Sequence, residues 1–539
     1  MMDIKRVRRS SRTEQGGKNM AALTFAAIDV GSFEVEMGIY EISNRNKIRK
    51  LDQIRHVTAL GKDTYNNGKI SYEMVEELCD VLADFARIMK SYKVTEYRAY
   101  ATSAMREARN NRIVLDQIRV RTGIQVRIIS NSEQRFLGYK AIAVSDDEFD
   151  ENIQQGTAIV DVGFGSMQAS LFDKDALVST QNLPLGVLRL RELIAHEKLS
   201  QQGAQNLIAE LIDNELVTYR KMYLKDREIK NLIAIGEPIL SLYYKMAEGN
   251  RSEQITIQEF NRFYERLKSM TLAQTEDFFD VNEEYASLMF PAAAIYKRML
   301  EITGAEFIWV PGIRMTDGMA AEYAEDKKLI RFNHSFENDI IVTSRNMAKR
   351  YKCYMPHIQN VEEAALKVFD SLKKYHGLGP RERLLLQIAA NLHSCGKFVT
   401  MRGADECAYN MIMATEIIGL SHVEREIVAN IVKYHQQKFR YNEVEVSAKP
   451  SKDSRLVSTE NLSIVIARLT AILRLANSMD RGHTGKLKDC RLNVKDGQLL
   501  IQTDCPADVT LESISIVDKG EFFEEIFGIR PVLRQKRRV

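Results

Sequence analysis

A two-lobed α/β phosphate-binding module over the first three-fifths of the chain, then a helical domain and a small C-terminal α/β region, is the fold that the sequence predicts. Three observations predict it. The segment TFAAIDVGSFEVEMGIYEIS alternates apolar residues around an Asp-Val-Gly-Ser turn, the pattern of a β-hairpin. A second strand-turn-strand pattern, TAIVDVGFGSMQASLFDKD, follows about 130 residues later, and a repeated hairpin of this kind predicts two similar lobes facing each other. Strands then alternate with helices up to about Asp326, after which the apolar period is nearly all helical.

Between the two hairpins the pattern predicts an amphipathic helix from Tyr72 to Lys90, a strand from Glu96 to Thr102, a further helix, and a strand from Gln125 to Ser130. After the second hairpin come a loop from Leu183 to Arg189, a long polar helix from about Gln201 to Tyr223, and strands at Asn231 to Gly236 and Phe307 to Val310. Asn333 to Ile341 reads as a linker. Helical periods follow at Val361 to Tyr375, Arg381 to His393, Ala408 to Leu420 and His422 to His435, and RLNVKDGQLLIQTD reads as a hairpin around Asp496-Gly497. The expected parts are a basic, solvated tail (1–22), lobe I (23–150), lobe II (151–325), the helical domain (340–482) and a small C-terminal α/β region (483–539).

A formal charge of +3 over 539 residues excludes a polycation built for bulk nucleic-acid binding. The six cysteines lack CxxC spacing, which argues for free thiols in a reducing compartment and against a zinc ribbon. No apolar core of a signal peptide is present, and no apolar run approaches the ~18–20 residues that span a bilayer, so a cytoplasmic protein without a membrane partner is expected.

The chemistry lies in the turns. Glycine after a strand lets backbone approach anionic oxygens, and an adjacent carboxylate can hold a hydrated Mg²⁺ that bridges them. Asp29 and Asp161 are thus candidate metal ligands, with Gly31, Ser32, Gly163, Gly165 and Ser166 as candidate phosphate contacts. In Ala101-Thr-Ser-Ala-Met-Arg-Glu-Ala-Arg-Asn110, the hydroxyls of Thr102 and Ser103 could cap the helix that follows. Arg106 falls in its first turn, where a cation suits a bound anion better than it suits the helix dipole.

The run TSAMREARN, the loop LPLGVLRL (Leu183 to Leu190), the two Asp-Val-Gly turns and the later TDGM (Thr316 to Met319) together resemble the exopolyphosphatase and guanosine pentaphosphate phosphohydrolase family. The resemblance covers about Thr24 to Tyr323, and more loosely Asn346 to Asp480. It implies an actin/hexokinase-like (ribonuclease H-like) fold, a helical domain of the HD-hydrolase type and a homodimer. It also implies Mg²⁺-supported attack of water on the terminal phosphorus of polyphosphate or the pentaphosphate alarmone. Asp29 and Asp161 would organise metal and phosphate, Arg106 would clamp oxygens, Gly236 would stand in a further phosphate motif, and a glutamate would activate the water. No specific nucleic-acid partner is implied.

Departures from the family concentrate at these positions. Where the family has Ile-Ser-Gly-x-Glu-Glu-Ala-Arg-Leu, this chain has Ile129-Ser-Asn-Ser-Glu-Gln-Arg-Phe-Leu137, so Gln134 matches the base and Glu133 the residue before it. The second loop has Phe164 for a glycine and Gln168 for an acid. The first reads Ser32-Phe33-Glu34, and a later Ser-Gly-Thr becomes Ile235-Gly236-Glu237. Glutamine cannot accept the proton, and general-base catalysis contributes about 10²–10⁴-fold. Hydrolysis with Glu133, Glu34 or Glu237 as replacement base is one reading. A catalytically impaired regulator that binds polyphosphate, alarmone or nucleotide is the alternative, and a kinase-like use ranks below both, since no adenosine-pocket signature is legible. In the helical domain Ser394 stands where an HD-type metal site needs Asp. His393, His435 and Asp480 remain, so a structural role for this domain is expected.

Overall fold

The computed structural model describes residues 23–43, 47–145, 153–174, 176–195, 197–224, 227–247, 254–444, 446, 456–457 and 461–536; the basic tail expected over residues 1–22 lies outside them. Lobe I is built on strands β1 (Leu23–Val30), β2 (Glu34–Ser43), β3 (Lys47–Val57), β4 (Glu96–Ala101) and β5 (Arg127–Ile128), in the spatial order β3-β2-β1-β4-β5. Its helices are α1 (Leu60–Asn67), α2 (Tyr72–Ser91), α3 (Ser103–Glu107), α4 (Asn111–Thr122) and α5 (Asn131–Ser145). Lobe II uses β6 (Thr157–Val162), β7 (Met167–Asp173), β8 (Ala176–Leu183), β9 (Asn231–Ile235), β10 (Gln254–Thr256) and β11 (Phe307–Trp309), in the order β8-β7-β6-β9-β11-β10.

The first five positions of the two orders correspond. Each lobe has an antiparallel hairpin (β1–β2, β6–β7) extended by a third antiparallel strand, with a parallel strand added on the other side by a helical crossover. The hairpin turns repeat one bond: Gly31 N–H donates to the Glu34 carbonyl at 2.9 Å, and Gly163 N–H donates to the Ser166 carbonyl at 2.9 Å. The two lobes read from the sequence are therefore present, as two copies of one sheet topology.

Helix Met315–Asp326, counted with lobe II by chain position, packs instead on the sheet of lobe I. There Tyr323 stacks on Phe25 with centroids 4.1 Å apart, and the Tyr40 hydroxyl donates to Asp317 at 2.8 Å. A small-residue face makes the fit possible, since a Cβ on Gly318 would lie 2.1 Å from the Leu137 carbonyl oxygen of α5.

A short irregular stretch, residues 327–335, leads into the helical domain. Residues 333–341, expected to be irregular, contain the start of helix Phe336–Arg350, capped by the Ser335 hydroxyl on Asn338 N–H. Its neighbours include Met355–Ser371, Pro380–Leu392, Ala404–Ala414 and His422–Tyr434, around the central Leu462–Met479. That central helix is long and apolar enough to cross a bilayer, contrary to the expectation that no such run exists, but most of it is buried inside the domain. One apolar core joins this domain to Phe172, Leu177, Ile233 and Ile235 of lobe II and to Phe136 of α5. The C-terminal region pairs β12 (Arg491–Lys495) with β13 (Gln498–Thr503) through Asp496 and Gly497, both at positive φ, and adds β14 (Arg530–Gln535) in parallel.

His357, His393 and His435 are buried together between these helices. His393 Nδ1 bonds the Ala390 carbonyl at 2.7 Å, His435 Nδ1 bonds Val432, and His357 Nδ1 meets Asp480 at 2.8 Å. Among the described residues no group of three or more His, Cys, Asp or Glu is placed to hold a metal. Burial pushes the His435 imidazole down to about 4 and holds His393 well below its usual value. A histidine neutral in the fold but protonated in the unfolded chain contributes stability above pH 6.5 that is lost as pH falls through the folded value, here on the order of 3 kcal/mol for His435 by pH 4. The melting transition of the helical domain is expected to fall steeply between pH 6.5 and 4.5. His435→Gln should flatten that slope in calorimetry.

Candidate functional site

Asp29 and Asp161 occupy the same place in their lobes, one residue before the end of β1 and of β6, and both line a cavity of about 120 Å³ between the lobes. Gly31, Ser32, Gln134, Gly163, Phe164, Gly165, Ser166 and Gly236 line the same cavity. Two glycines are sterically required. A Cβ on Gly165 would lie 1.9 Å from the Tyr65 hydroxyl, and Gly236 sits at φ 105° with the Val162 carbonyl oxygen 2.5 Å from where a Cβ would be. Since the N–H groups of Gly31 and Gly163 close their own turns, these glycines contribute backbone room and leave anion contact to their neighbours.

The cleft is short of positive charge. Burial, then the negative charges of Glu36, Asp161 and Glu34, hold Asp29 well above the usual carboxylate range. Burial pushes Asp161 up to about 6, opposed by Arg135. Asp29 Oδ1 is buried with no hydrogen-bond partner among the described residues. Two facing acids with an unsatisfied oxygen fit a hard divalent cation, and Mg²⁺ takes one or two protein carboxylates while keeping waters and phosphate oxygens as its other ligands.

Two further carboxylates line the cleft. Glu36 lies opposite Asp29 in the β1–β2 register, where it accepts the Thr316 hydroxyl at 2.6 Å and Arg314 Nη1 at 3.2 Å. Glu237, at the start of helix Glu237–Met246, is held by Arg314 and Arg55. Glu34 does not reach the cavity lining; its carboxylate lies 3.7 Å from Arg55. The equivalent of Glu36 in lobe II is Gln168, opposite Asp161, and its Oε1 accepts from Arg135 Nε at 3.0 Å behind the cleft.

Gln134 projects from the first turn of α5 into the cavity, and its Oε1 is buried without a partner among the described residues. Glu133, the expected replacement base, points elsewhere. Its carboxylate accepts Ser130 N–H at 2.9 Å and Ser130 Oγ at 3.0 Å and pairs with Arg127 at 2.6 Å, a capping box closing the N-terminus of α5. Arg106, the expected phosphate clamp, is also turned away: Nη1 donates to the Ile129 carbonyl at 2.5 Å and Nη2 to Asn131. Both residues line a second chamber behind α3 and α5.

The expected capping of α3 by Thr102 or Ser103 is replaced by a longer-range one. Ser32 Oγ accepts Ala104 N–H at 3.2 Å and lies 2.9 Å from both Ser103 Oγ and the Tyr65 hydroxyl. Phe164, which stands for a loop glycine, lines the cavity. Its ring packs on Phe33 of the opposite loop, centroids 4.9 Å apart, with Tyr285 5.7 Å further round. The two aromatic departures from the glycine- and serine-rich loops are therefore one contact.

A model of the Ppx/GppA phosphatase family matches residues 39–321, and a model of Ppx/GppA phosphatase domain III matches residues 341–511. The chain belongs to the Ppx/GppA phosphatase family. Among similar proteins, the bifunctional 3-dehydroquinate synthase/phosphatase of Fusobacterium nucleatum is 22% identical over 326 residues, covering 56% of this chain. The aligned stretch is 47% of that protein, so the chain spans about half of its length. A solved exopolyphosphatase from Cytophaga hutchinsonii is 20% identical with a TM-score of 0.50, covering 57% of this chain and 98% of that one. An Aquifex aeolicus Ppx/GppA family member is 20% identical with a TM-score of 0.48, covering 58% and 100%. The likeness to the Cytophaga structure shows a shared two-lobed α/β fold.

For a Ppx/GppA cleft of this make-up, the raised carboxyls carry a thermodynamic signature. An acid whose folded value is raised binds protons more tightly in the native state, so the stability penalty is present above pH 6 and relieved as pH falls toward 4. A cation removes the penalty only while the acids are ionised. Mg²⁺ is expected to raise the melting temperature more at pH 7.5 than at pH 5, and Asp161→Asn should abolish the difference in differential scanning fluorimetry.

Proposed function

We propose that the chain is a Mg²⁺-dependent phosphatase that removes terminal phosphate from polyphosphate or guanosine pentaphosphate, slowly, because its cleft keeps the paired acids and glycine turns but lacks a carboxylate at 134. The observation that carries this reading is the pair Asp29 and Asp161 at equivalent strand ends, facing one cavity, with an unsatisfied carboxylate oxygen between glycine turns. Asp29 and Asp161 would hold Mg²⁺, which when bound offsets negative charge on the phosphoryl oxygens. Ser32 and Ser166 line the same space, and Gly165 and Gly236 leave room for the oxygens. Positioning and charge stabilisation supply most of the acceleration in phosphoryl transfer, so their retention sustains turnover without a strong base. A homodimer, implied by the family resemblance, and a cytoplasmic location, expected from the sequence, are part of the same reading.

A second reading, a phosphate-binding regulator, is favoured by two features: Gln134 cannot take a proton, and Glu133 is spent in a helix cap. The two readings separate in one assay, phosphate release from long-chain polyphosphate and from guanosine pentaphosphate with Mg²⁺. Slow release by the wild type, lost on Asp161→Asn, is the expected result. Binding of both compounds with no release above the variant would leave the regulator.

A further inference from the structure

Behind α3 and α5 lies a chamber of about 630 Å³, walled on one side by lobe I and on the other by helices Pro380–Leu392 and His422–Tyr434 of the helical domain. Six arginines line it: Arg98, Arg106, Arg112 and Arg127 from the lobe, Arg381 and Arg425 from the helical domain. Three are matched by carboxylates. Arg98 pairs with Glu322 and Asp326, Arg127 with Glu133, and Arg381 with Glu424. The fifth acid of the wall, Glu416, is taken up by Arg135 at 2.6 Å and Asn131 at 2.6 Å. Arg106, Arg112 and Arg425 form no ion pair with a described residue. Arg425 spends Nη1 on the Thr415 carbonyl at 3.3 Å and places Nη2 3.1 Å from His422 Nδ1.

The donors are in surplus in detail as well as in charge. The Nε–H groups of Arg425 and Arg127 are buried with no acceptor among the described residues. Buried donors are normally paired, and a guanidinium is satisfied best by a planar or tetrahedral oxyanion offering several acceptors. The volume exceeds what one phosphate needs and falls within the range of ~300–1,000 Å³ typical of small-molecule sites.

We propose that this chamber is a second anion site, distinct from the cleft, that binds an oligophosphate group across the junction of lobe I and the helical domain. The group is either an inorganic phosphate chain or the phosphates of a nucleotide. Occupancy would bear on the cleft through two shared helices: Ser103 and Gln134 face the cleft, while Arg106 on α3 and Asn131 and Glu133 on α5 face the chamber. The proposal goes beyond the phosphatase reading and survives its failure, because it requires no turnover.

The test is calorimetric titration of the full chain with inorganic tripolyphosphate in EDTA, which leaves the cleft acids without the cation that would let them accept an anion. One-to-one saturable binding is expected, weakened at least tenfold by Arg112→Glu and by Arg425→Gln, and unchanged by Ser166→Ala in the cleft. Arg112 is exposed, so its reversal leaves the fold intact even if Arg425→Gln does not. A parallel titration with guanosine diphosphate separates the two sources: tighter binding than tripolyphosphate identifies a nucleotide, weaker binding an inorganic chain. Absence of saturable binding, affinity untouched by both arginine variants, or loss of binding on Ser166→Ala would overturn the proposal.

Discussion

Replacing Gln134 with glutamate is expected to raise Mg²⁺-dependent phosphate release by about 10²–10⁴-fold, the usual contribution of a positioned general base. The substitution is nearly isosteric, and the side chain already projects into the cavity with an oxygen that has no partner, so the new carboxylate needs no rearrangement. Its surroundings would tune it. Asp29 and Asp161 are both raised by burial, and a third acid beside them would be raised in turn, towards the near-neutral range where proton acceptance is most effective. The gain should therefore appear in kcat at saturating polyphosphate, with the rate climbing through a higher pH than in the wild type. An unchanged kcat would mean that another group already takes the proton, and would turn attention to Glu36 or Glu237.

Phe33→Ala is expected to cost about 3–5 kcal/mol, the range for truncating a fully buried phenylalanine, and to lower the melting transition of the lobes by roughly 10 °C. Phe33 is 0% exposed although it sits on a turn of lobe I, because its ring is inserted into the core of lobe II against Phe164 and Tyr285. Loss of the ring removes apolar burial from both lobes at once. Phe164→Gly should cost less, since Phe164 is only partly buried, and the double variant should cost clearly less than the two single costs added, as residues in direct contact are not independent. Scanning calorimetry on the three variants checks this. A loss below 1 kcal/mol for Phe33→Ala would show that the lobes are held together elsewhere.

What could be read from the sequence was what is local. The two hairpins, the acids at their strand ends and the crossover helices follow from periods of two and 3.6 residues and from turn glycines. Glu36 was missed although it was within reach: once the turn spans Gly31 to Glu34, counting back along the ladder places Asp29 opposite Glu36. Glu133 was misplaced although a signal was present, since Ser130 followed three residues later by Glu133 is a capping-box signature. Other features were not legible because they depend on residues far apart in the chain. Arg314 pairs with Glu36 across 278 positions, and helix Met315–Asp326 packs on lobe I although the whole of lobe II lies between them in the chain. Arg106 illustrates a third kind of failure. Its position in a helix start was read correctly, but the direction of its side chain is decided by Asn131 and the Ile129 carbonyl on another element.

The first turn of α5 is moored on both flanks to the helical domain. Ser130 Oγ donates to the Leu420 carbonyl at 3.2 Å, and Asn131 and Arg135 share the carboxylate of Glu416. Gln134 sits between these moorings. Deleting everything after residue 330 would therefore not yield a smaller protein with the same cleft: it would leave Arg135, 2% exposed in the intact chain, without its carboxylate partner, and the turn carrying position 134 without its anchor. Any truncation study of this protein measures a different site from the one in the intact chain.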